Sequence, residues 1–285
     1  MDDGNQVYDR YMVNTFEKKL LVLDIDGTLA NSNKRITQST KDTIIRMMTK
    51  GHYCMLASGR PTHGMEWAAK ELEFSRFGGY LLSYNGARII KYDSMETVFE
   101  ERVPKELLPE LLKFAVAHKC GIISYDGNTI ISGNGIDQYI ELESRINDLP
   151  IKQVTNFADY FDEDVIKCLF CVDPRKAEAL ATELRHVVGD RADVFRSEPF
   201  YIEVMPKGVD KATSISMMLS SICVTQENVV ACGDGFNDIS MIKFAGIGVA
   251  MGNAQQAVKD VADIITGTND EDGLIPIIER FFDFT

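Results

Sequence analysis

Short apolar runs alternate with amphipathic stretches along the first part of the chain. Runs typical of β-strands cover residues 20–24, 52–57 and 80–83, and helices are predicted over 37–50 and about 63–74. Strands that alternate with helices in this way are typical of right-handed βαβ units. The pattern therefore predicts an α/β fold built on a parallel sheet.

The middle of the chain has a different pattern. Residues 87–198 combine helices with short strand-like runs and turn signals, which predicts an inserted α+β domain with an antiparallel sheet. Alternating strands and helices return after this insert. We therefore divide the chain into an N-terminal tail, 1–18, a core formed by 19–86 and 199–285, and the inserted domain.

The 285 residues are 45% hydrophobic and 26% charged, and the net charge is −13. This composition is typical of a globular protein with a sizeable core. The acidic balance argues against nucleic acid and an anionic membrane as partners, because both attract basic surfaces. No apolar run approaches the roughly 18–20 residues of a membrane span, and the polar N-terminus has no apolar signal segment. We therefore expect a cytoplasmic protein, and no feature indicates an obligate protein partner.

Six cysteines are scattered along the chain and most lie in apolar runs, so buried, reduced thiols are expected. Cys168 and Cys171 have the spacing of a zinc or redox motif, but no second such pair exists in the sequence. If residues 167–172 form a strand, the two sulfurs point to opposite faces. The four histidines are dispersed as well. Neither a zinc centre nor a redox centre is predicted.

One apolar run ends abruptly at two acids, Asp24 and Asp26, which Gly27 follows. Alternate residues of a strand share a face, so both carboxylates are predicted to project to the same side. Two crowded carboxylates repel each other, and a divalent cation or a shared proton relieves that repulsion. The pair suits metal-assisted chemistry in which one acid attacks and the other transfers a proton.

Further polar residues follow other predicted strands, at the edge where open α/β sheets bind ligands. Asp234 and Asp238 lie four residues apart at a predicted helix start, and with Asp24 they would form an oxygen-only site suited to Mg²⁺. A calcium loop is disfavoured, because Arg35 or Ala245 occupies the position that requires a glutamate. Taken alone, the later acid pair could also be a helix cap beside a solvated acid.

Ser58, with Gly59 beside it, and Lys211 supply a hydroxyl and a cation, the groups that hold a phosphoryl oxygen. Each has a plainer interpretation, because a serine–glycine pair after a strand is commonly a turn and a lysine at a helix start is commonly solvated. Lys207 is a competing candidate for the role of the lysine. Taken together and in this order, the acids, the serine and the lysine meet the requirements of phosphoryl transfer.

These residues resemble the haloacid dehalogenase (HAD) superfamily, most closely its Cof-type sugar-phosphatase branch, which carries a cap of the second type (C2). The resemblance covers about residues 19–282. Its motifs are Asp24-Ile25-Asp26-Gly27-Thr28-Leu29, Ala57-Ser58-Gly59-Arg60, Ser83-Tyr84-Asn85-Gly86-Ala87, Gly208-Val209-Asp210-Lys211 and Gly233-Asp234-Gly235-Phe236-Asn237-Asp238. The resemblance implies a Rossmann-like, doubly wound parallel-sheet core with an inserted α+β cap.

The resemblance also implies roles for the matching residues. Asp24 would be the nucleophile that forms an aspartyl-phosphate. Asp26 would protonate the leaving alcohol and then activate water. Ser58 and Lys211 would hold the phosphoryl group, and Asn85 would shape the phosphate site.

A magnesium site is implied as well. Asp24, the main-chain carbonyl of Asp26, and Asp234 would hold Mg²⁺. Asp238 and Asn237 would support these ligands. The ion would reduce the repulsion between the attacking carboxylate and the phosphate.

The activity that the resemblance implies is Mg²⁺-dependent hydrolysis of small phosphorylated metabolites, sugar phosphates above all, because the insert would close over the active site. Asp126, Asn128 and Arg145 are candidate substrate contacts in the insert, with exposed loops as the alternative interpretation. A phosphomutase or phosphotransferase of the same superfamily is an alternative that product analysis separates. A phospho-acceptor signalling module is another, but such modules are compact and lack both the insert and the acid at Asp26.

Overall fold

Buried apolar strands form the centre of a large sheet. The computed structural model describes residues 17–282, and these form two β-sheets. In spatial order, the first sheet contains β14 (Ile264–Ile265), β13 (Ile247–Ala250), β12 (Val229–Gly233), β1 (Leu20–Leu23), β2 (Tyr53–Ala57), β3 (Tyr80–Ser83), β4 (Arg88–Lys91) and β5 (Glu96–Glu100). The strands from β14 to β3 run parallel, and β4 and β5 are antiparallel. Every residue of β1 is buried, as is typical of a strand with a parallel neighbour on each side.

Helices bury apolar side chains in the core of the first sheet. They are α1 (Gln38–Thr49), α2 (Thr62–Glu71), α3 (Phe74–Phe77), α8 (Lys211–Leu219), α9 (Ile239–Phe244), α10 (Gln256–Lys259) and α11 (Leu274–Phe281). The first of them begins where Thr37 accepts a hydrogen bond from the Thr40 N–H, and it buries Ile44, Met47 and Met48. The alternation of strand and helix confirms the predicted α/β core.

The second sheet is mostly antiparallel. In spatial order it contains β10 (Ala192–Glu198), β11 (Tyr201–Pro206), β9 (Cys168–Cys171), β6 (Gly121–Asp126), β7 (Thr129–Ser132) and β8 (Ile151–Gln153), of which β7 and β8 are parallel. Its helices are α4 (Leu108–His118), α5 (Gln138–Asn147), α6 (Phe157–Tyr160) and α7 (Ala177–Val188). This unit has its own apolar core, in which Leu111, Phe170 and Leu184 are buried.

Sheet pairing differs from the predicted boundaries at both ends of the insert. Strands β4 and β5 were predicted within 87–198, yet they extend the first sheet beyond β3. Strand β11 was predicted with the core, yet it pairs with β10 and β9 of the second sheet. The apolar pattern identifies a strand but does not select its partner, because pairing depends on residues distant in sequence.

Two smaller predictions concern the cysteines and the tail. Cys168 and Cys171 lie in β9 and pack into different apolar clusters, which confirms that their sulfurs point to opposite faces. Of the predicted tail, residues 1–16 lie outside the described part of the chain. Between residues 17 and 282, none of the helices combines the length and apolar character that crossing a bilayer requires.

Candidate active site

The carboxyl ends of the central parallel strands meet at one edge of the first sheet. Asp24 follows β1, Ser58 follows β2, Asn85 follows β3 and Asp234 follows β12, while Lys211 begins α8. All five line one cavity of about 700 Å³, as expected for the ligand crevice of an open α/β sheet. The structure thus brings together residues as far apart in sequence as Asp24 and Asp234, which are 210 positions apart.

Lys211 lies at the centre of this group and is 1% exposed. Its Nζ donates to Asp24 Oδ1 at 2.9 Å, to Asp238 Oδ1 at 2.6 Å and to the carbonyl oxygen of Ala57 at 2.8 Å. Burial alone would lower the pKa of Lys211, but the charges of Asp238 and Asp24 outweigh burial and raise it. The lysine is therefore a fixed positive charge beside Asp24.

The competing lysine, Lys207, lies elsewhere. Its side chain is 52% exposed, and its Nζ donates to Asp193 Oδ1 at 2.6 Å. Lys207 does not belong to the lining of the 700 Å³ cavity, whereas Lys211 does. The geometry therefore selects Lys211 as the cation of the site.

Three carboxylates crowd the same point. One oxygen of each of Asp24, Asp234 and Asp238 lies within 4.8 Å of the others. Burial and the charge of Asp238 raise the pKa of Asp24 well above its ordinary value, and the same two causes raise the pKa of Asp234 to about 6. A divalent cation would offset this excess of negative charge, and an all-oxygen donor set suits Mg²⁺.

The three acids are not equivalent. Asp238 Oδ2 accepts from the backbone N–H groups of Asp234 and Gly235, both at 2.9 Å, and its Oδ1 accepts from Lys211. Both oxygens are therefore engaged, and the residue is fully buried. Asp238 positions the lysine and the loop after β12, while Asp24 accepts from the Lys211 side chain and Asp234 from the Thr28 side chain.

Gly27 lets two loops of the site approach each other. Its φ is +88°, and a Cβ at this position would lie 2.3 Å from Asp234 Oδ2. Thr28, the next residue, donates from Oγ1 to Asp234 Oδ1 at 3.0 Å. The loop after β1 therefore packs directly against the carboxylate of Asp234, and the absence of a side chain at Gly27 permits this contact.

Asp26 lines the same cavity, but its carboxylate faces different partners. Arg60 donates from Nε to Oδ2 at 2.7 Å and from Nη2 to Oδ1 at 3.0 Å, and Lys34 donates to Oδ1 at 2.9 Å. Burial would raise the pKa of Asp26, but the hydrogen bonds and charge of Arg60, with those of Lys34, lower it to about 2. Asp26 is therefore held ionised.

The largest charge effects on Asp24 come from Asp238, Lys211 and Asp234 rather than from Asp26. Strand β1 ends at Leu23, so Asp24 and Asp26 both lie in the turn that follows and the alternation of a strand does not apply to them. Sequence reasoning did not give Arg60 a role, although its place directly after Ser58-Gly59 at the end of β2 was a usable signal.

The remaining predicted residues, Ser58, Gly59, Asn85 and Asn237, form a polar wall, meaning one side of the cavity that is lined by polar groups. Ser58 Oγ accepts from the Arg60 N–H at 3.2 Å, and the carbonyl oxygen of Ser58 accepts from the Asn85 N–H at 3.0 Å. Asn237 donates from Nδ2 to Asn85 Oδ1 at 3.1 Å. A Cβ on Gly59 would lie 3.1 Å from the Asn85 amide. This wall presents a hydroxyl and amide groups to the cavity, which suits a phosphoryl group.

The unit built on the second sheet contributes part of the cavity lining, including Glu143 of α5, Lys167 and Glu203. The substrate contacts suggested by sequence are elsewhere, because Asp126, Asn128 and Arg145 are absent from the lining that the described residues form. Asp126, for example, accepts from the Tyr160 hydroxyl at 2.8 Å. Charged residues of α5, β10 and β11, together with Lys167 beside β9, line the cavity instead.

Known proteins resemble this chain over most of its length. A family model described as haloacid dehalogenase-like hydrolase matches residues 21–278. The chain is 31% identical over 264 residues to the 5-amino-6-(5-phospho-D-ribitylamino)uracil phosphatase YcsE of Bacillus subtilis, which covers 92% of this chain and 95% of that protein. The crystal structure of a haloacid dehalogenase-like hydrolase from Bacteroides thetaiotaomicron has 46% identity and a TM-score of 0.87, over 93% of this chain and 100% of that one. A HAD subclass IIB sugar phosphatase has 26% identity and a TM-score of 0.80, over 93% and 99% of the two chains.

Proposed function

Since the chain belongs to the haloacid dehalogenase-like hydrolases and is a phosphatase, we propose that it hydrolyses small phosphorylated metabolites, sugar phosphates above all, through a phosphorylated Asp24. The observation that carries this proposal is the buried contact between Lys211 and Asp24 at 2.9 Å. The Asp24 carboxylate lies at the carboxyl end of a parallel strand, where it can attack a phosphoryl group. The ammonium group of Lys211 beside it offsets the negative charge of that phosphoryl group.

In the first step, a carboxylate oxygen of Asp24 forms a bond to phosphorus as the bond from phosphorus to the ester oxygen breaks. Lys211 and the hydroxyl of Ser58 hold the phosphoryl oxygens during this transfer. The leaving oxygen takes a proton from Asp26. Because Arg60 and Lys34 keep Asp26 ionised beforehand, this first step requires Asp26 to take up a proton from solvent once the substrate is bound and those contacts loosen.

In the second step, water attacks the phosphorylated Asp24 and the bond from phosphorus to the carboxylate oxygen breaks. Asp26, ionised again, takes the proton of the attacking water. The contacts with Arg60 and Lys34 favour this ionised form, so they support the second step directly. Inorganic phosphate then leaves the cavity.

Mg²⁺, when bound, would neutralise charge between the carboxylate and the phosphoryl oxygens. Asp24 and Asp234 would hold the ion, together with the main-chain carbonyl of Asp26. The raised pKa values of both acids support this assignment. Asp238 and Asn237 would keep the surrounding side chains in place.

A small substrate is proposed because the second sheet covers the cavity. Arg60 donates from Nη1 to the Ile146 carbonyl oxygen at 2.8 Å, and Gly64 of α2 packs on Asn147 of α5. These contacts hold the second-sheet unit against the first sheet, and side chains of both units line the cavity. The relatives named as a sugar phosphatase and as a ribitylaminouracil phosphatase act, by those names, on small molecules.

The test is release of inorganic phosphate from sugar phosphates, nucleotides and other phosphometabolites, measured with Mg²⁺ and with a chelator. We expect Mg²⁺-dependent release that favours hexose or pentose phosphates. Asp24→Asn should abolish turnover while thermal unfolding stays cooperative, and full activity of that variant contradicts the mechanism. Transfer of phosphate to a second sugar would make the protein a phosphotransferase, and a long-lived phospho-Asp24 would favour a signalling role.

A further inference from the structure

Three buried charged side chains of the second-sheet unit line the cavity that contains Asp24, and the exposed Arg196 and Glu198 of β10 line it as well. Glu143 comes from α5, Lys167 directly precedes β9, and Glu203 lies in β11. Their exposed fractions are 6%, 2% and 3%. Glutamate and lysine are almost never buried to this extent unless they are paired, and burying a charge costs free energy. The three residues therefore need an explanation beyond packing.

The charges interrupt a face of the second sheet that is otherwise apolar. Glu203 lies between Tyr201 and Met205, which are two residues away on either side and are buried in one apolar cluster. Lys167 precedes Leu169 at the same spacing, and Leu169 is the partner of Glu203 in the strand register. An ion pair at such a position is not required for stability, because apolar residues of similar volume commonly stabilise a fold at least as well.

Hydrogen bonds join the ion pair to the loops of the phosphate site. Lys167 Nζ donates to Glu203 Oε2 at 3.1 Å and lies 3.5 Å from the Gly59 carbonyl oxygen. Asn85 Nδ2 lies 3.4 Å from the same Glu203 oxygen. The ion pair thus lies next to the residues that would hold the phosphoryl group. In a bound phosphate ester, the leaving group is attached to that phosphoryl group and would therefore lie near the pair.

Each of the two glutamates bonds to the protein through one oxygen. Glu143 Oε1 accepts from the Tyr125 hydroxyl at 2.7 Å and from Asn147 Nδ2 at 2.9 Å. Glu203 uses Oε2 for the contacts with Lys167 and Asn85. Among residues 17–282, the second carboxylate oxygen of each glutamate accepts no hydrogen bond. That oxygen is therefore available to a ligand. Burial raises the pKa of Glu143 although Lys167 opposes it, as expected of a carboxylate short of donors.

The donors and acceptors of this cluster match adjacent hydroxyl groups. A hydroxyl donates to a carboxylate oxygen and accepts from an ammonium group, and it does both at once. Two carboxylates and one ammonium leave the cluster with one net negative charge, and the other two charges that the second-sheet unit adds to the lining, Arg196 and Glu198, cancel each other. A second phosphate or a carboxylate on the ligand would be repelled there, whereas a neutral polyol would not.

We propose that Glu143, Lys167 and Glu203 form a specificity site for a neutral, polyhydroxylated leaving group that carries one phosphate and no second anionic group. This inference rests on the proposed function and deepens it. The three side chains bind hydroxyls of the leaving group, and their negative balance excludes bisphosphates and phosphorylated acids. Asp24 and the other phosphoryl-transfer residues do not distinguish between phosphate esters, so the cluster alone determines which leaving group is accepted.

The test compares two kinds of substrate in the full-length protein with Mg²⁺ present. Sugar and sugar-alcohol monophosphates offer hydroxyls to the cluster, and p-nitrophenyl phosphate offers none. Glu203→Gln and Glu143→Gln should each lower kcat/KM for the best polyol monophosphate about 10- to 100-fold, the range lost when a buried hydrogen-bonding partner is removed. Their kcat/KM for p-nitrophenyl phosphate should change less than about threefold, within the usual effect of a neutral site.

Charge exclusion provides a second readout. The unmodified protein should prefer a hexose monophosphate to the corresponding bisphosphate by at least about tenfold, and Glu203→Gln should shrink that preference. Asp193→Asn and Lys207→Met alter an exposed ion pair of the chain and are the matched controls. Both ratios should stay unchanged in these controls.

Each other outcome overturns the inference. Equal losses on polyol phosphates and p-nitrophenyl phosphate would mean that the cluster only positions the phosphate loops. Unchanged values on both would mean that it does not contact the leaving group. If a single variant unfolds, the charge-neutral double variant Lys167→Met with Glu203→Gln replaces it and must give the same selective loss. Absence of phosphate release from every substrate by the unmodified protein would instead refute the proposed function, and the specificity site with it.

Discussion

Arg60 holds Asp26 through two parallel hydrogen bonds, from Nε at 2.7 Å and from Nη2 at 3.0 Å. Its third nitrogen donates to the carbonyl oxygen of Ile146 in α5 at 2.8 Å. One guanidinium therefore fixes both the acid of the first sheet and a helix of the second-sheet unit. The forked geometry of arginine makes this double contact, which a lysine cannot reproduce.

Replacement of Arg60 should impair proton transfer more than phosphoryl binding. We expect Arg60→Lys to lower kcat about 10²-fold for alkyl and sugar phosphates, within the range that a positioned acid contributes. The loss for p-nitrophenyl phosphate should stay below about tenfold, since nitrophenolate leaves without a proton. Arg76→Lys, at an exposed arginine on α3, is the control and should match the unmodified protein. A loss of the same size on both substrates would contradict a role through Asp26.

The two lysines of the motif region offer a matched pair of variants. Lys211→Met removes the cation beside Asp24 and leaves two buried carboxylates without it, so activity should fall about 10³-fold and stability by about 3 kcal/mol. Lys207→Met removes an exposed ion pair, and surface pairs of this kind contribute little to stability. Phosphate release and chemical denaturation measure both effects. Comparable activity in the two variants would rule out the assignment of Lys211.

Much of the first sheet could be predicted from sequence because its strands are short, apolar and bounded by turn residues. Asp24, Ser58 and Asp234 each follow such a strand, and parallel strands place their carboxyl ends at one edge. The local sequence pattern was therefore enough to predict that these residues lie close together. The same reasoning predicted α1 within one residue at each end, since Thr37 and Gly51 bound it.

Features that depend on distant partners could not be predicted in this way. Apart from Glu203, strand β11 is mostly apolar like the strands of the core, and nothing local indicates that it pairs with β9. Glu203 lies inside that strand and looks like a solvated acid until the pairing buries it. The charged part of the cavity lining was missed for this reason, and loop residues such as Asp126 were suggested instead.

Asp234 gives the protein a pH-dependent stability. Its pKa in the folded state, about 6, lies above the ordinary value of 3.8, so the ionised carboxylate destabilises the metal-free fold at pH 8. Asp234→Asn should therefore stabilise the protein by about 1–2 kcal/mol at pH 8 with a chelator present. The gain should shrink as pH falls through 6 and disappear near pH 4, where the carboxyl is largely protonated in the folded state and half protonated in the unfolded chain.

Urea denaturation at several pH values checks this expectation. Added Mg²⁺ should stabilise the unmodified protein at pH 8 and should have a smaller effect on Asp234→Asn, because the variant lacks one proposed ligand. Asp270→Asn, at an exposed acid that bonds to Ser32, controls for the general loss of one negative charge. A gain for Asp234→Asn that does not vary with pH would show that repulsion is not its cause.

Gly27 should be intolerant of a single methyl group. Its φ of +88° disfavours any side chain, and a Cβ would lie 2.3 Å from Asp234 Oδ2, so Gly27→Ala must displace the proposed metal ligand. We expect a loss of about 1–3 kcal/mol in stability and a higher Mg²⁺ concentration for half-maximal activity. Gly127→Ala is the control, because that glycine also has positive φ, +53°, but a Cβ there would meet no atom within 4 Å beyond its chain neighbours. If both variants lose stability equally and keep the same Mg²⁺ requirement, backbone strain alone explains the effect and the contact with Asp234 is unimportant.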